Sequence, residues 1–220
     1  MNMTRRTKLA LVGLAVLALP TLGHAQNLLV YGGFETDNVV PLAGIVNPLQ
    51  PGLWGVERAV RDTGPTGGVI PYKGNWMLKM DDPGGVVTQA FQFVDISNRG
   101  TLNELEVEAW YNSDADAARV NLIVSYYRTN LDWFNEISVD SRAMVLDNDT
   151  STWQGLYYRS DIPGAANWVG FQVSFVNTTI GADSGFVDGA SLLLVPEPAT
   201  MIALGIGLAA LAARRRRKQG

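Results

Sequence analysis

The chain has 220 residues, a formal net charge of −4, no cysteine and one histidine. The missing cysteine excludes a disulfide framework, a cysteine nucleophile and a zinc site built on thiolates. The one histidine, His24, lies in an N-terminal segment with the features of a cleaved leader, so the mature protein also lacks a Ser-His-Asp triad and histidine ligands for zinc. Among hydrolytic mechanisms, a carboxylate pair of the glycosidase type remains possible.

The first 25 residues have the pattern of a secretory signal peptide. Arg5, Arg6 and Lys8 form a basic start, residues 9–19 are apolar throughout, and small residues stand just before position 26. The apolar run is shorter than the roughly 20 residues that span a bilayer. We therefore predict a signal peptide over residues 1–25, removed by signal peptidase. The Arg5-Arg6 pair also fits a twin-arginine signal, but Lys8 stands where that pathway usually has a large apolar residue, so general secretion is favoured.

Residues 26–195 differ in charge from the chain as a whole. They contain 9 of the 17 basic residues and 20 of the 21 acidic residues, which gives a net charge near −11. Such a surface repels phosphate groups, so nucleic-acid binding is not expected, whereas a divalent cation or a neutral polymer suits it. The length of about 170 residues fits one domain with a sizeable core.

Short runs of alternating apolar and polar residues fill this domain, separated by Gly, Pro, Asn and Asp. A period of two is typical of strands with one buried face, and no stripe of helical period stands out. Many short strands without helices favour an all-β, two-sheet sandwich, and no segment repeats at a fixed spacing as a solenoid would require. The nine predicted strands cover residues 27–31, 54–60, 75–80, 86–94, 104–111, 119–128, 153–159, 168–176 and 185–194.

Alternation also places large aromatic residues on polar faces of the predicted strands. Trp110 shares its face with three glutamates, Tyr127 with an asparagine and a serine, and Trp168 with Gln172. An aromatic ring beside amide and hydroxyl groups is what a sugar-stacking surface requires. Two alternatives remain open, because a loop could cover these rings or they could be scattered surface aromatics. The predicted glycan-binding residues are Trp110, Tyr127, Trp168 and Gln172.

Three segments of the domain carry a resemblance to a known fold family. Residues 27–35 are NLLVYGGFE, residues 72–79 are YKGNWMLK and residues 185–192 are GFVDGASL. They resemble the first strand, the glycine-containing third signature and the last strand of galactose-binding-like jelly rolls, similar to carbohydrate-binding modules of families 4, 9 and 22. The resemblance implies a jelly-roll sandwich with a non-catalytic, sugar-binding role.

The same resemblance implies a structural calcium ion where the opening and closing segments meet. The acids that match the ligands of the family are Glu35 and Asp188. Calcium takes six to eight oxygens, so backbone carbonyls would have to complete the shell. Family members often have a second acid or amide after the closing aspartate, and here that place is taken by Gly189. The alternative is that both acids are exposed residues at strand ends.

The C-terminus has three features in a fixed order. Pro196-Glu197-Pro198 is followed by an apolar run over residues 199–213 and then by five consecutive basic residues, 214–218. As a helix the apolar run would be about 22 Å long, which is short for a hydrocarbon core of about 30 Å. The basic cluster would remain in the cytoplasm by the positive-inside rule. An ordinary single-pass anchor is one interpretation of this transmembrane segment.

This combination resembles the PEP-CTERM sorting tail of Gram-negative bacteria. In that family an exosortase recognises and removes the tail, and the hosts tend to make extracellular polysaccharide. The resemblance implies that the protein is held in the inner membrane transiently and is then released to the cell surface or beyond. We predict domains at 1–25 (signal peptide), 26–195 (β-sandwich) and 196–220 (sorting tail).

Together these features predict an exported, non-catalytic protein that binds polysaccharide or is associated with it. A structural or adhesive surface protein with the same fold and no sugar site is the main alternative. A glycosidase is less favoured, because no cluster of acidic and polar residues stands at one strand end, although 20 acidic residues can always supply two carboxylates.

Overall fold

The computed structural model describes residues 27–37, 39–41, 52–81, 86–115, 118–129, 135–176 and 184–195, together with positions 205 and 207, whose backbone is helical. Eleven strands occupy these residues: β1 (Val39–Pro41), β2 (Trp54–Glu57), β3 (Ala59–Asp62), β4 (Met77–Asp81), β5 (Thr88–Asp95), β6 (Glu104–Ser113), β7 (Arg119–Tyr127), β8 (Ser138–Val145), β9 (Gln154–Asp161), β10 (Trp168–Val176) and β11 (Ser184–Val195).

The strands form two sheets that pack on one main hydrophobic core. Six strands form one sheet in the order β1-β2-β5-β10-β7-β8, and five form the other in the order β3-β4-β11-β6-β9. Neighbouring strands are antiparallel except for β1 and β2, which are parallel. From β4 onward the chain crosses repeatedly between the sheets, as it does in a jelly roll. The predicted all-β, two-sheet class is confirmed.

The alternation seen in the sequence builds this core. On β6, Leu105, Val107 and Ala109 are fully buried between the sheets, while Trp110 and the glutamates lie on the opposite face. On β10 the buried set on the core side is Val169, Phe171, Val173 and Phe175. Because side chains of a strand alternate between its two faces, this pattern predicts which residues lie on the buried face and which on the outer face of each sheet.

The predicted first strand, residues 27–31, is wrong. Only Asn27 forms a bridge, to the last strand, and the residues after it form turns. Tyr31 has a φ of 56°, in the left-handed region that a strand does not use. The side-chain amide of the buried Gln92 satisfies this backbone instead, because it accepts a hydrogen bond from Val30 N at 2.7 Å and donates one to Val30 O at 3.0 Å.

The predicted strand over residues 54–60 is two strands in different sheets. Arg58 separates β2 from β3 and has a φ of 54°. A residue in the left-handed region interrupts the ladder, so β2 pairs with β5 and β3 pairs with β4 across the sandwich. The other seven predicted strands agree with the structure to within two residues at either end.

Two strands, β1 and β8, were not predicted. β1 has only three residues, which is too short for alternation to show. β8 is an edge strand, and most of its residues are exposed on both faces, so no buried set marks it in the sequence.

The predicted signal peptide at 1–25 lies outside the described residues. So do the Pro-Glu-Pro segment at 196–198 and the predicted transmembrane segment at 199–213, apart from positions 205 and 207. Within the described ranges, no helix is both long enough and apolar enough to cross a bilayer.

Candidate functional site

Three of the four predicted glycan-binding residues lie on one surface, the outer face of the six-stranded sheet. This face points away from the main core and is formed by alternate residues of β5, β7, β8 and β10. Trp168 on β10 pairs directly with Tyr127 on β7, and Gln172 lies four residues further along β10. Same-face residues two apart on a strand are about 6.6 Å apart, so Trp168 and Gln172 are separated by about 13 Å.

At one end of this face, aromatic rings form a small second core. Phe91, Phe93 and Tyr127 are buried, with 4%, 3% and 6% of their surface exposed, and the half-buried Trp168 packs against them. The rings of Phe93 and Tyr127 are 5.4 Å apart. They lean over Gly170, where a Cβ would come within 3.2 Å of the tyrosine ring. The rings therefore occupy the depression that this glycine leaves in the sheet.

The burial of Tyr127 has an electrostatic consequence. Burial raises the pKa of its hydroxyl, a hydrogen bond with Ser125 lowers it and the charge of Glu136 raises it. A tyrosine hydroxyl is already protonated at neutral pH, and the net rise of the pKa extends this to more alkaline pH, so the group acts as a hydrogen-bond donor and acceptor.

Amide and hydroxyl groups occupy the other end of the face. The Gln172 amide donates to Gln89 Oε1 at 2.7 Å, and the Gln89 amide donates in turn to Glu57 Oε2 at 2.9 Å. On the next strand, Asn121 Nδ2 donates to Ser174 Oγ at 3.1 Å. These side chains are half-buried or, for Ser174, buried, and their mutual hydrogen bonds hold them in defined orientations.

Trp110 lies on the opposite side of the sandwich, on the outer face of the five-stranded sheet. One side of its indole lies against the backbone, since a Cβ at Gly155 or Gly189 would come within 3.2 and 3.3 Å of the ring. Tyr72 stacks on it with ring centroids 4.4 Å apart and planes inclined by 15°. Trp110 Nε1 donates to Glu108 Oε1 at 2.7 Å. A sugar stacking on Trp110 would have to displace the Tyr72 ring.

The structure thus splits the predicted surface. Tyr127, Trp168 and Gln172 share a face, and Trp110 is separated from them by both sheets. Sequence reasoning missed Phe91, Phe93 and Gln89, which lie on the same face as Trp168. Apolar residues occupy both sides of β5, so alternation could not assign a polar face to that strand.

The two predicted calcium ligands are also brought together, and they bind the same loop, residues 71–76. Asp188 Oδ2 accepts a hydrogen bond from Lys73 N at 2.8 Å. Glu35 Oε1 accepts from Asn75 N at 3.0 Å and from Trp76 N at 3.1 Å. A Cβ on Gly74 would overlap this Glu35 oxygen, which shows how closely the loop approaches the acid. We refer to Glu35 and Asp188 as the acid pair.

Asp188 is fully buried, whereas Glu35 is exposed. Burial raises the pKa of the Asp188 carboxyl to about 6, hydrogen bonds from three backbone N–H groups lower it, and the charge of Glu35 adds to the rise. In the described part of the chain, no lysine or arginine forms an ion pair with either acid. The alternative of two exposed strand-end acids does not describe Asp188.

The acid pair suits a cation in charge and in the type of ligand atom, but it supplies too few ligand oxygens. Within the described ranges, no group of three or more His, Cys, Asp or Glu residues is placed to hold a metal ion. Two carboxylates supply at most four of the six to eight oxygens that calcium takes. Backbone oxygens or water would have to supply the rest.

The two-sheet domain has the jelly-roll fold of carbohydrate-binding modules. It superimposes on TmCBM61 in complex with β-1,4-galactotriose with a TM-score of 0.54 and 17% identity, covering 78% of this chain and 100% of that one. A proposed sugar-binding protein from Bacteroides thetaiotaomicron superimposes with a TM-score of 0.50 and 10% identity, covering 77% of this chain and 100% of that one. At such identities the likeness shows the fold alone. Comparison with curated proteins gives no match.

The match of the C-terminal segment is more specific than the likeness of fold. Residues 194–217 match the PEP-CTERM protein-sorting motif. The chain therefore carries this sorting signal at the position where its Pro-Glu-Pro segment, apolar run and arginine cluster occur. The motif indicates processing by an exosortase and export to the cell surface.

Proposed function

We propose that this is an exported, non-catalytic protein of the cell surface or extracellular matrix, whose jelly-roll domain binds polysaccharide through the outer face of the six-stranded sheet. The observation that carries the proposal is the half-buried Trp168 on the same face as the hydrogen-bonded amides of Gln172 and Gln89. An aromatic ring offers a surface on which a sugar ring can stack, and amides held in fixed orientations can form hydrogen bonds with particular sugar hydroxyl groups. The strongly acidic domain favours a neutral polymer over an anionic one.

Glu57 and Asp95, the two acids of this face on β2 and β5, do not form a glycosidase pair. Glu57 is adjacent to Gln89, and Asp95 lies six residues further along β5. At about 3.3 Å per residue their backbones are about 20 Å apart, whereas glycosidase carboxylates stand about 5 to 10 Å apart. The spacing of these two acids therefore gives no support to hydrolysis by them.

A structural or adhesive role without a sugar site is the second candidate. The observation in its favour is the burial of Phe91, Phe93 and Tyr127, whose rings fill one end of the face and are not open to solvent. On this reading the accessible groups of the face, among them Trp168 and the amides, would bind no sugar.

Retention on polysaccharide separates the two candidates. The full chain is passed over gels of neutral and acidic polysaccharides, alongside Trp168→Ala, Gln172→Ala and a control, Tyr157→Ala. Tyr157 is an aromatic residue with 54% of its surface exposed on the opposite sheet. We expect retention on a neutral gel that both test variants lose and the control keeps. No retention of the wild type on any gel would favour the structural role. Equal retention of all variants would show that sugar binding does not depend on this face.

For the tail, we propose cleavage near Pro196-Glu197-Pro198 after transient residence in the inner membrane of a Gram-negative host. Prolines on both sides of Glu197 disfavour helix and keep the approach to the membrane extended. Mass spectrometry of the mature protein should find residues 214–218 missing in the native host. In a host without exosortase, the intact tail should remain in the membrane. Intact residues 214–218 on the mature surface protein in the native host would make the tail a simple anchor.

We also propose that the acid pair binds calcium. A fully buried carboxylate next to a second acid, without an ion-pair partner among the described residues, supports this, since a bound cation would offset the repulsion between them. A ligand that binds only the folded state raises the free energy of unfolding by about 2.7 kcal/mol when its concentration is a hundred times Kd. Chelator should therefore lower the melting temperature of the wild type and have little effect on a Glu35→Ala, Asp188→Ala double variant. Identical melting curves of the wild type with and without chelator would contradict calcium binding at the acid pair.

A further inference from the structure

Three polar side chains form a line of hydrogen bonds across three neighbouring strands of the six-stranded sheet. Gln172 on β10 donates to Gln89 on β5, and Gln89 donates to Glu57 on β2. The two bonds are 2.7 Å from Gln172 Nε2 to Gln89 Oε1 and 2.9 Å from Gln89 Nε2 to Glu57 Oε2. We refer to Glu57, Gln89 and Gln172 as the amide relay. Its two glutamines are the amides to which the sugar-binding proposal assigns contact with sugar hydroxyl groups.

The carboxylate at the end of the amide relay sets the direction of both amides. The nitrogen and oxygen ends of an amide are nearly alike in shape, so hydrogen-bond partners decide which way it faces. An ionised carboxylate only accepts, so Gln89 turns its nitrogen toward Glu57 and its oxygen toward Gln172. Because that oxygen can only accept, Gln172 turns its own nitrogen toward Gln89. Glu57 therefore determines which end of the Gln172 amide remains available.

The residues directly beside Gln172 are apolar. In the register of the sheet they are Phe91 on β5 and Ile123 on β7. Gln172 is half-buried, and in the part of the chain that the structure describes its Oε1 accepts no hydrogen bond. This oxygen can therefore accept a hydrogen bond from a hydroxyl group of a ligand on the face.

Glu57 is placed to anchor the amide relay without filling the core. It pairs directly with Gln89 in the register of β2 and β5, which brings the two side chains together on one face. Its second oxygen, Oε1, forms an ion pair with Arg58 Nη1 at 3.6 Å. About 40% of the Glu57 side chain is exposed, so removing it opens no cavity between the sheets.

We infer that Glu57 is a positioning residue for sugar binding, which acts through Gln89 to present the oxygen of Gln172 as an acceptor for a sugar hydroxyl group. This inference rests on the proposed sugar-binding face and deepens it. A hydroxyl group can donate to this oxygen, whereas the carboxylate of a uronic acid has no hydrogen to donate. The amide relay thus selects neutral sugars over acidic ones at this position.

Affinity electrophoresis of the full chain tests the inference, in native gels that contain hydroxyethylcellulose, xylan or galactomannan as soluble neutral probes. Glu57→Ala should weaken binding about threefold to tenfold, because Gln89 loses the acceptor that orients it. Glu57→Gln keeps an acceptor oxygen and should retain more affinity than Glu57→Ala. Glu106→Ala is the matched control, since it removes an acid that is paired with an arginine on the opposite sheet.

A double-mutant cycle shows whether Glu57 acts through Gln172. In a Gln172→Ala background there is no amide left to orient, so adding Glu57→Ala should weaken binding no further. If the two losses simply add, Glu57 acts independently of Gln172 and the inference is wrong.

The remaining outcomes separate this inference from the proposal beneath it. If no neutral probe retards the wild type, the sugar-binding proposal fails and the inference fails with it. If the wild type and Glu57→Ala are retarded equally, sugar binding stands and the positioning role is wrong. If Glu57→Ala does not fold, Gln89→Ala decides, because it breaks the amide relay at its middle and wild-type affinity would overturn the inference. Stronger retardation of the wild type by polygalacturonate than by the neutral probes would overturn the selection of neutral sugars.

Discussion

Replacing Trp110 with alanine should cost more stability than replacing Trp168. By alternation alone, both residues lie on polar faces and either change should be nearly neutral. In the structure the Trp110 ring has backbone on one side and Tyr72 on the other, and its nitrogen bonds Glu108. Trp168 is half-buried against a small cluster at one end of its sheet.

The magnitude follows from these contacts. Truncating a fully buried aromatic side chain costs about 3 to 5 kcal/mol, and Trp110 is half-buried, so about 2 kcal/mol is expected from lost burial. The lost stack on Tyr72 adds about 0.5 to 1.5 kcal/mol. We expect about 3 kcal/mol for Trp110→Ala and about 2 kcal/mol for Trp168→Ala, which is equally half-buried but loses no stack or hydrogen bond of the described residues.

Urea denaturation of the full chain and both variants, followed by circular dichroism, measures the difference in the free energy of unfolding. In thermal unfolding, a domain of this size loses roughly 2 to 4 °C per kcal/mol, so the melting temperature of Trp110→Ala should fall by about 6 to 12 °C. Trp110→Phe should recover part of the loss because it can still contact Tyr72. A loss under about 1 kcal/mol in Trp110→Ala, or a larger loss in Trp168→Ala, would refute this reasoning.

Three further predictions concern other parts of the sandwich. Burial raises the pKa of Tyr126 to about 12, so its contribution to stability is fully present below pH 10 and is lost as the pH rises through 12. Because burial also raises the pKa of Tyr111 and Tyr158, Tyr126→Phe should reduce this alkaline loss of stability in urea denaturation, not abolish it, and an unchanged pH dependence would contradict it. On the edge strand β8, Asp140 and Arg142 cap the backbone of Ser141, since the acid accepts from its N–H and the guanidinium donates to its carbonyl, both at 2.8 Å. Because free edge groups invite strand pairing, an Asp140→Ala, Arg142→Ala variant should self-associate in sedimentation, whereas the charge-matched Glu106→Ala, Arg159→Ala variant on the other sheet should stay as the wild type. Gln92→Ala should lose about 2 kcal/mol, because the buried Gln92 amide makes two hydrogen bonds to the backbone of Val30, and a loss no greater than that of the half-buried Gln89→Ala would count against this role.

The sequence alone was enough to place most strands and to identify their buried faces. Side chains of a strand alternate with a period of two, so buried positions such as Val107 and Phe171 could be read from local pattern. It also located the C-terminal sorting motif, because that signal consists of a short ordered string of residue types. Neither inference needs information from distant parts of the chain.

Local pattern is less informative where long-range contacts determine the conformation. Residues 27–31 have the composition of a strand, but the side chains of Gln92 and Trp54 bond Val30 and hold the segment in turns. The residues that make these bonds are 62 and 24 positions away. No window along the chain could have revealed them.

Only the tertiary structure decided which aromatic residues share a surface. Alternation tells whether a side chain points to the core or away from it, but each sheet of a sandwich has its own outer face. Strand order assigns β6 to one sheet and β7 and β10 to the other, which separates Trp110 from Trp168 and joins Trp168 to Tyr127. Strand order depends on pairing between residues far apart in sequence, and the same pairing brings Asp188 and Glu35 to one loop.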